Sequence, residues 1–161
     1  MNRNAAQHYQ EQQILNATPA ERIVLLYNGA IKFLMQARQA IDENNIQERF
    51  NNNKRASDII FYLQDTVDME KGGEIAQNLY RIYGYMLRRL IDVDMKNDQE
   101  AIDDVIAKLQ ELNASWRKIA SGEVSVNQPK GDSAENVTDS DEEKGKQAVS
   151  ISAIAWVFKK V

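Results

Sequence analysis

Few residues in this chain are of the types that carry out catalysis. His8 is the only histidine among 161 residues, and the chain contains no cysteine. A zinc site therefore lacks its usual imidazole and thiolate ligands, and no cysteine nucleophile is available. No Gly-x-x-x-x-Gly-Lys-Ser/Thr or Gly-x-Gly-x-x-Gly loop is present to hold a phosphate. We interpret His8 as an ordinary surface residue and expect no enzyme activity, no metal and no other cofactor.

Carboxylate clusters are the remaining candidates for metal binding. One cluster contains Asp65, Asp68 and Glu70, and the other is the pair Asp103 and Asp104. Di-iron helical proteins combine such carboxylates with Glu-x-x-His motifs on facing helices, which one histidine cannot supply. Because Asp and Glu are mostly exposed in folded proteins, we interpret both clusters as solvated charge.

The overall composition excludes two further classes of partner. The net charge is −4, and basic and acidic residues are interspersed without a basic stripe that could follow a phosphate backbone. No apolar run approaches the ~18 residues of a membrane span. We therefore expect no nucleic-acid partner and no membrane insertion. The absence of cysteine fits a reducing compartment.

The positions of apolar residues predict long helices. Residues 18–21 (TPAE) place a threonine N-cap, a helix-initiating proline and a glutamate that can bond back to the cap. The apolar face of this first predicted helix comprises Ile23, Leu26 or Tyr27, Ala30, Leu34, Ala37 and Ile41. The second predicted helix runs from Ile46 to about Asp68, and its stripe comprises Ile46, Phe50, Ser57, Ile60 and Val67.

Two more helices follow a loop that contains Gly72 and Gly73. The seam of the helix from Glu74 to about Met95 comprises Ile75, Leu79, Ile82, Met86, Leu90 and Val93. A cap at Asn97-Asp98 precedes the last helix, whose stripe comprises Ile102, Val105, Leu109, Leu112, Trp116 and Ile119. Gly122 occupies the position at which a glycine commonly ends a helix.

Short connections between four amphipathic helices predict an all-α, antiparallel up-down four-helix bundle over residues 18–121. Residues 1–17 form an N-terminal arm, in which Tyr9 to Leu15 add a short helix or an extended segment. Residues 122–148 are rich in serine and acidic residues, which predicts a disordered linker. Residues 149–161 are apolar again, and their role is not evident from composition.

A second apolar row on the third predicted helix is unusual for a bundle that exists alone. The row contains Tyr80, Tyr83, Leu87 and Ile91, with Gly84 between them. One explanation is deep burial of this helix by its neighbours. The other is a groove in which tyrosines offer apolar bodies and polar tips to an amphipathic partner helix.

Four motifs in order resemble the flagellar secretion chaperone family, FliS. They are ATPAE with LLYNGAI at residues 17–21 and 25–31, EKGGEIA at 70–76, NLYRIYGYMLRRL at 78–90, and the last helix from Asn97-Asp98 through WRKI at 116–119. The resemblance covers about residues 5–121. It departs at Asn28, where the family usually has aspartate, and this change is expected to affect packing only.

The resemblance implies a cytoplasmic four-helix bundle without enzyme activity or cofactor. Such a chaperone binds the disordered C-terminal region of new flagellin, prevents premature polymerisation and delivers its client to the flagellar type III export apparatus. We expect a monomer or weak homodimer. The alternative is a structural or regulatory bundle that uses the same apolar surface to associate with itself.

The residues expected to line the flagellin groove combine the second apolar row with apolar positions elsewhere. They are Tyr9, Val24, Tyr27, Ile31, Ile59, Leu63, Tyr80, Tyr83, Leu87 and Ile91. If the row is a surface, glutamate at Tyr83 or Leu87 weakens binding of a flagellin C-terminal peptide and leaves the helical circular dichroism signal intact. Unfolding of these variants would instead place the row in the core.

Residues from Val124 onward have no counterpart in the resemblance. They are either an ordinary tail, or a helical seam of Ile151, Ile154, Phe158 and Val161 that folds back into the client groove. The resemblance also implies that the arm around Tyr9 covers the groove when flagellin is absent.

Overall fold

The computed structural model describes residues 3–123, and its regular elements are five α-helices. They are α1 (Arg3–Asn16), α2 (Pro19–Asp42), α3 (Ile46–Asp65), α4 (Gly73–Lys96) and α5 (Gln99–Ala120). The all-helical prediction is confirmed over this range, and the N-terminal arm is a continuous helix. The predicted linker and the apolar segment 149–161 lie outside the described residues.

The helix ends follow the signals in the sequence. The Thr18 backbone N–H donates to Glu21 Oε2 at 2.7 Å, and Glu21 N–H donates to Thr18 Oγ1 at 3.2 Å, so α2 begins with the predicted capping box. Asp98 caps α5 by accepting from Ala101 N–H at 3.0 Å. Asn97 does not serve as that cap, because it ends α4 in the left-handed conformation.

The four longer helices form a helical bundle. α2 packs against α3 and α5, and α4 packs against the same two helices. Among residues 3–123, α1 makes no extensive interface with the other helices. The largest fully buried side chains are Trp116, Tyr27, Tyr83, Leu34, Ile60, Leu63, Met86, Leu90, Ile102, Leu109, Val93 and Val105.

A hydrogen-bonded pair of tyrosines lies in the middle of this core. The hydroxyl groups of Tyr27 on α2 and Tyr83 on α4 share a hydrogen bond, and their ring centroids are 6.5 Å apart. The side chain of Trp116 on α5 also hydrogen-bonds to Tyr27. Because these polar atoms lack access to water, each needs a protein partner. Three helices are therefore joined at one buried point.

The tyrosine pair corrects the predicted seam of α4. Tyr83 is fully buried in the seam with Leu79 and Met86, whereas Ile75 and Ile82 are only partly buried. Because successive residues of an α-helix lie about 100° apart around its axis, burial of Tyr83 in place of Ile82 moves the buried position at this level by that angle. The hydroxyl partner inside the core accounts for this preference for tyrosine over isoleucine.

The predicted stripe of α3 is wrong in its first half. Ile46 and Phe50 are exposed and Ser57 is partly buried, although Ile60 and Val67 lie in the core as expected. Polar residues occupy the buried positions near the start of this helix, namely Arg49, Asn52 and Asn53.

Two of these residues, Arg49 and Asn53, are held by the C-terminal part of α4, whereas Asn52 Nδ2 donates to the Glu48 carbonyl within α3. Asn53 Nδ2 donates to the Leu90 carbonyl at 2.9 Å and to Asp94 Oδ2 at 2.8 Å. Arg49 Nη2 donates to the Asp94 carbonyl at 3.2 Å, and Arg49 Nη1 donates to the Asn97 side chain. These contacts satisfy part of the hydrogen-bonding capacity that opposes burial, although Asn53 Oδ1 has no hydrogen-bond partner among the described residues and Arg49 Nε faces Asp94 Oδ1 only as an ion pair at 3.4 Å. They fasten α3 to the end of α4.

We expect the two tyrosine hydroxyls to contribute unequally to stability. Tyr83→Phe leaves Tyr27 with Trp116 as a partner, so a loss of about 1 kcal/mol in the free energy of unfolding is expected. Tyr27→Phe deprives both Tyr83 and Trp116 of their partner and should cost about 2–3 kcal/mol. Urea unfolding of both single variants and the double variant measures this. A double-mutant cycle with no coupling energy would contradict the shared hydrogen bond.

Alkaline pH should weaken the fold through the same pair. Burial raises the pKa of Tyr27 and of Tyr83 above the ordinary value of 10.0. Above pH 10 the unfolded chain loses these protons while the folded chain keeps them, so stability falls as pH rises. The expected slope is up to about 1.4 kcal/mol per pH unit for each tyrosine. Denaturant midpoints between pH 8 and 11 should show a smaller slope for the double Phe variant.

Candidate functional site

One exposed apolar surface combines residues of α3 and α4, and we call it the α3–α4 face. On α4 it comprises Tyr80, Leu87 and Ile91, and on α3 it comprises Phe50 and Phe61. Tyr80, Ile91 and Phe61 are 46%, 57% and 60% exposed. Leu87 is partly buried and packs against the core. Exposed apolar side chains grouped in this way indicate an interaction surface.

The two helices approach closely beneath this face because of Gly84. Gln64 on α3 donates from Nε2 to the Tyr80 carbonyl at 3.1 Å. A Cβ atom added at Gly84 would lie 3.2 Å from the same Nε2 atom and 3.4 Å from Arg88 Nη1. The Gln64 amide and the Arg88 guanidinium therefore lie over Gly84, and this part of the face is polar.

Three of the residues expected in the groove lie in the core. Tyr27, Leu63 and Tyr83 are each 0% exposed, so none of them is available to a partner in this conformation. Their burial has a physical reason: the tyrosines satisfy one another's hydroxyl groups, and Leu63 continues the buried stripe of α3 three residues after Ile60. The row on α4 therefore divides, with Tyr83 inside and its neighbours outside.

The remaining expected residues are spread over separate surfaces. Val24 lines an open cleft of about 480 Å³ between α1, α2 and α5, together with Ala17 and Ala120. Ile31 is partly buried seven residues further along the same side of α2.

The other two expected residues lie elsewhere. Ile59 lies at the α2–α3 junction, where its Cδ1 atom approaches Gly29. Tyr9 is 67% exposed on α1. The structure does not unite these residues with the α3–α4 face.

Two arginines border the α3–α4 face. Arg81 and Arg88 are both exposed on α4 and lie seven residues apart on one side of the helix. Neither has an ion-pair partner within residues 3–123. By contrast, Arg89 points toward α5, where Asp98 and Asp104 lie 3.5 Å away. The border of the face can therefore accept negative charge.

A cluster of charged groups fastens α4 to α5 on the opposite side. Tyr85 donates to Asp104 Oδ2 at 2.7 Å, and Lys108 Nζ donates to Asp104 Oδ1 at 2.6 Å. The hydrogen bond from Lys108 and then that from Tyr85 lower the pKa of Asp104. Asp103 pairs with Arg38 of α2 at 2.8 Å. These carboxylates therefore hold helices together and are not solvated charge alone.

The other acidic cluster also requires a correction. Asp68 is buried, and its Oδ1 atom accepts from the backbone N–H groups of Glu70 and Lys71 at 3.1 and 3.0 Å. It shapes the loop before α4. Within residues 3–123, no group of three or more potential ligands could hold a metal ion. None of the helices described there combines the length and apolar character needed to cross a membrane.

Asn28, the position where the resemblance departs, connects α2 with α5. Its Oδ1 atom accepts from Asn113 Nδ2 at 2.8 Å and from Arg117 Nη2 at 3.2 Å. Both contacts are with α5, which agrees with the expected effect on packing. The position lies apart from the α3–α4 face.

Sequence reasoning missed Phe50, Phe61, Arg81 and Arg88 as members of the site or its border. Phe50 was assigned to the core because its spacing from Ile46 fits a helical stripe. The signal that could have revealed the error is the polar run at residues 51–55, because a helix with asparagines at its buried positions must turn neighbouring apolar residues outward.

Sequence comparisons find flagellar chaperones among similar proteins. A family model described as Flagellar protein FliS matches residues 1–123. The flagellar secretion chaperone FliSB of Pseudomonas aeruginosa is 38% identical over 110 residues, which cover 68% of this chain and 87% of the relative. The flagellar secretion chaperones FliS of Vibrio cholerae and Bacillus subtilis are 34% and 30% identical, covering 68% and 71% of this chain and 80% and 85% of the relatives. Residues 124–161 lie beyond the matched family region.

Proposed function

This chain belongs to the family of the flagellar protein FliS, and we propose that it is a flagellar export chaperone that binds the C-terminal region of flagellin. We place this activity in the bacterial cytosol. The chaperone keeps its client from polymerising and passes it to the type III export apparatus. The task consists of binding and release, so it requires neither a catalytic residue nor a cofactor.

The observation that carries this proposal is the α3–α4 face. Tyr80, Leu87 and Ile91 follow one another at helical spacing, and Phe61 on α3 extends the same surface. An amphipathic helix laid along α4 would cover them and remove apolar area from water, at roughly 25 cal/mol per Å². The gain is offset in part by ordering the client, which keeps binding reversible.

A flagellin terminus is a suitable occupant because it forms an amphipathic helix and is disordered before assembly. Its apolar side needs a temporary cover, which this face supplies. The bordering Arg81 and Arg88 favour a client with carboxylates on its polar side. Release at the export apparatus uncovers the same residues again.

We also propose the up-down antiparallel arrangement of α2–α5 over residues 18–121. Three observations support this arrangement. The connections between successive helices are short, each helix packs against the next, and α5 packs against α2. The ion pair between Arg38 of α2 and Asp103 of α5 closes this ring. The face then lies between two neighbouring helices, along the side of the bundle.

Glutamate at Ile91 should reduce the affinity for a flagellin C-terminal peptide by about 10-fold, the equivalent of about 1.4 kcal/mol. Ile91 is 57% exposed, so its replacement leaves the core intact. Gly84→Leu should weaken binding as well, because the added side chain displaces Gln64 and Arg88 within the face. Calorimetric titration of the full chain at near 1:1 stoichiometry measures both effects. Circular dichroism confirms that each variant is folded.

Met35→Glu is the matched control, since Met35 is 50% exposed on α2, away from the α3–α4 face. It introduces the same charge at similar exposure and should leave peptide affinity unchanged. If Met35→Glu weakens binding while Ile91→Glu does not, the client lies on the α2 side. If the unmodified chain shows no binding at high micromolar peptide, the proposed function is wrong.

The alternative function is self-association through the same face. Sedimentation at several protein concentrations separates the two proposals, because a constitutive dimer would cover the face permanently. Restoration of a monomer by Ile91→Glu would favour that alternative. A monomer with saturable peptide binding favours the chaperone.

A further inference from the structure

We infer that residues 139–161 of this chain dock on the α3–α4 face and occupy it when no client is bound. The apolar part of this segment contributes Ile151, Ile154, Phe158 and Val161, and its acidic part is the run at residues 139–143. The docking itself is independent of flagellin. Its consequence, competition with the client, rests on the proposed function.

The apolar rows match in spacing and in length. Ile151, Ile154, Phe158 and Val161 recur at intervals of three, four and three residues, which place them on one side of a helix. Such a helix is about 15 Å long, and the row from Tyr80 to Ile91 on α4 extends about 16 Å.

The charges are complementary as well. Arg81 and Arg88 border the face without an ion-pair partner within residues 3–123. The run DSDEE at residues 139–143 carries four carboxylates and ends eight residues before Ile151. The apolar row therefore provides the contact with the row on α4, and the acidic run, joined to it by residues 144–150, provides carboxylates for Arg81 or Arg88.

The intervening chain is long enough to reach the face. Residues 124–150 separate the end of the described chain from the apolar row. A coil of these 27 residues has a root-mean-square end-to-end distance of about 30 Å, comparable with the length of about 36 Å expected for the 24 residues of α4. Tethering on this scale gives a millimolar effective concentration, so weak contacts suffice for docking.

Placement of the segment can be measured directly in the full chain. Since the chain has no native cysteine, Lys160→Cys provides a unique site for a nitroxide spin label. Docking predicts strong loss of backbone amide NMR signals at Tyr80, Leu87 and Ile91, and little loss at Val24 and Ile31. Absent or evenly distributed loss would overturn the inference, as would selective loss near Val24.

Two pairs of substitutions that add the same charge test whether the apolar side of this segment contacts the face. Ile154→Asp with Phe158→Asp should abolish the signal loss, because both replacements lie on the apolar side. Val149→Asp with Ala153→Asp adds the same charge on the opposite side of the helix and should preserve it. Equal effects of the two pairs would overturn the inference. Signal loss that appears only at high protein concentration would assign the face to a second copy, which also overturns it.

The consequence for the client is tested by titrating the flagellin C-terminal peptide into the same full-length variants. Ile154→Asp with Phe158→Asp should tighten peptide binding by about two- to tenfold, as expected when half to nine-tenths of the faces are occupied. The control pair should leave the affinity unchanged. If no variant binds the peptide but the label reports docking, the proposed function fails and the docking stands. If Ile154→Asp with Phe158→Asp leaves the affinity for the peptide unchanged, residues 139–161 do not compete with the client.

Discussion

The hydrogen bonds that join Trp116, Tyr27 and Tyr83 at the centre of the bundle reinforce the orientation of α4, in which Leu79, Met86, Leu90 and Val93 are buried beside Tyr83. A hydroxyl group in an apolar core must find a partner, and Tyr83 finds it only by facing Tyr27. With Tyr83 inward, Tyr80 and Leu87, three residues before it and four after it, lie beside the core toward α3. Ile91 follows on the same side. The exposed apolar row is thus a geometric consequence of this orientation of α4.

The same requirement shapes α3. Arg49 and Asn53 occupy buried positions because the C-terminal part of α4 supplies acceptors for them, including the Leu90 carbonyl and Asp94. Their burial turns Phe50 to the outside. Buried hydrogen-bonded polar groups often contribute more to a unique arrangement of helices than to net stability. Here they fasten α3 to α4 along the border of the face and leave apolar side chains at the surface.

An apolar face exposed on a folded bundle favours aggregation unless another segment covers it. We propose that a flagellin segment covers it during export, and we infer separately that residues 139–161 cover it when no client is bound. Both occupants combine an apolar row with the ability to detach. In these proposals the bordering Arg81 and Arg88 add charge selectivity, whereas Arg89 is engaged with Asp98 and Asp104 of α5. Three arginines within nine residues of one helix therefore serve two purposes.

Local signals in the sequence determined much of this protein. The capping box at Thr18, the cap at Asp98 and the stripe from Ile102 to Ile119 depend on neighbours within one or two helical turns, so the helices and their ends could be predicted. The motifs also sufficed to indicate the family. Tertiary structure alone decided which member of an apolar row enters the core. Tyr83 and Ile91 are both compatible with either side of α4, and only the distant Tyr27 distinguishes them. The burial of Asp68, predicted to be solvated, and of Arg49, for which no prediction is made, has the same origin: the groups that make their burial favourable lie in the backbone or elsewhere in the chain, where side-chain periodicity carries no information.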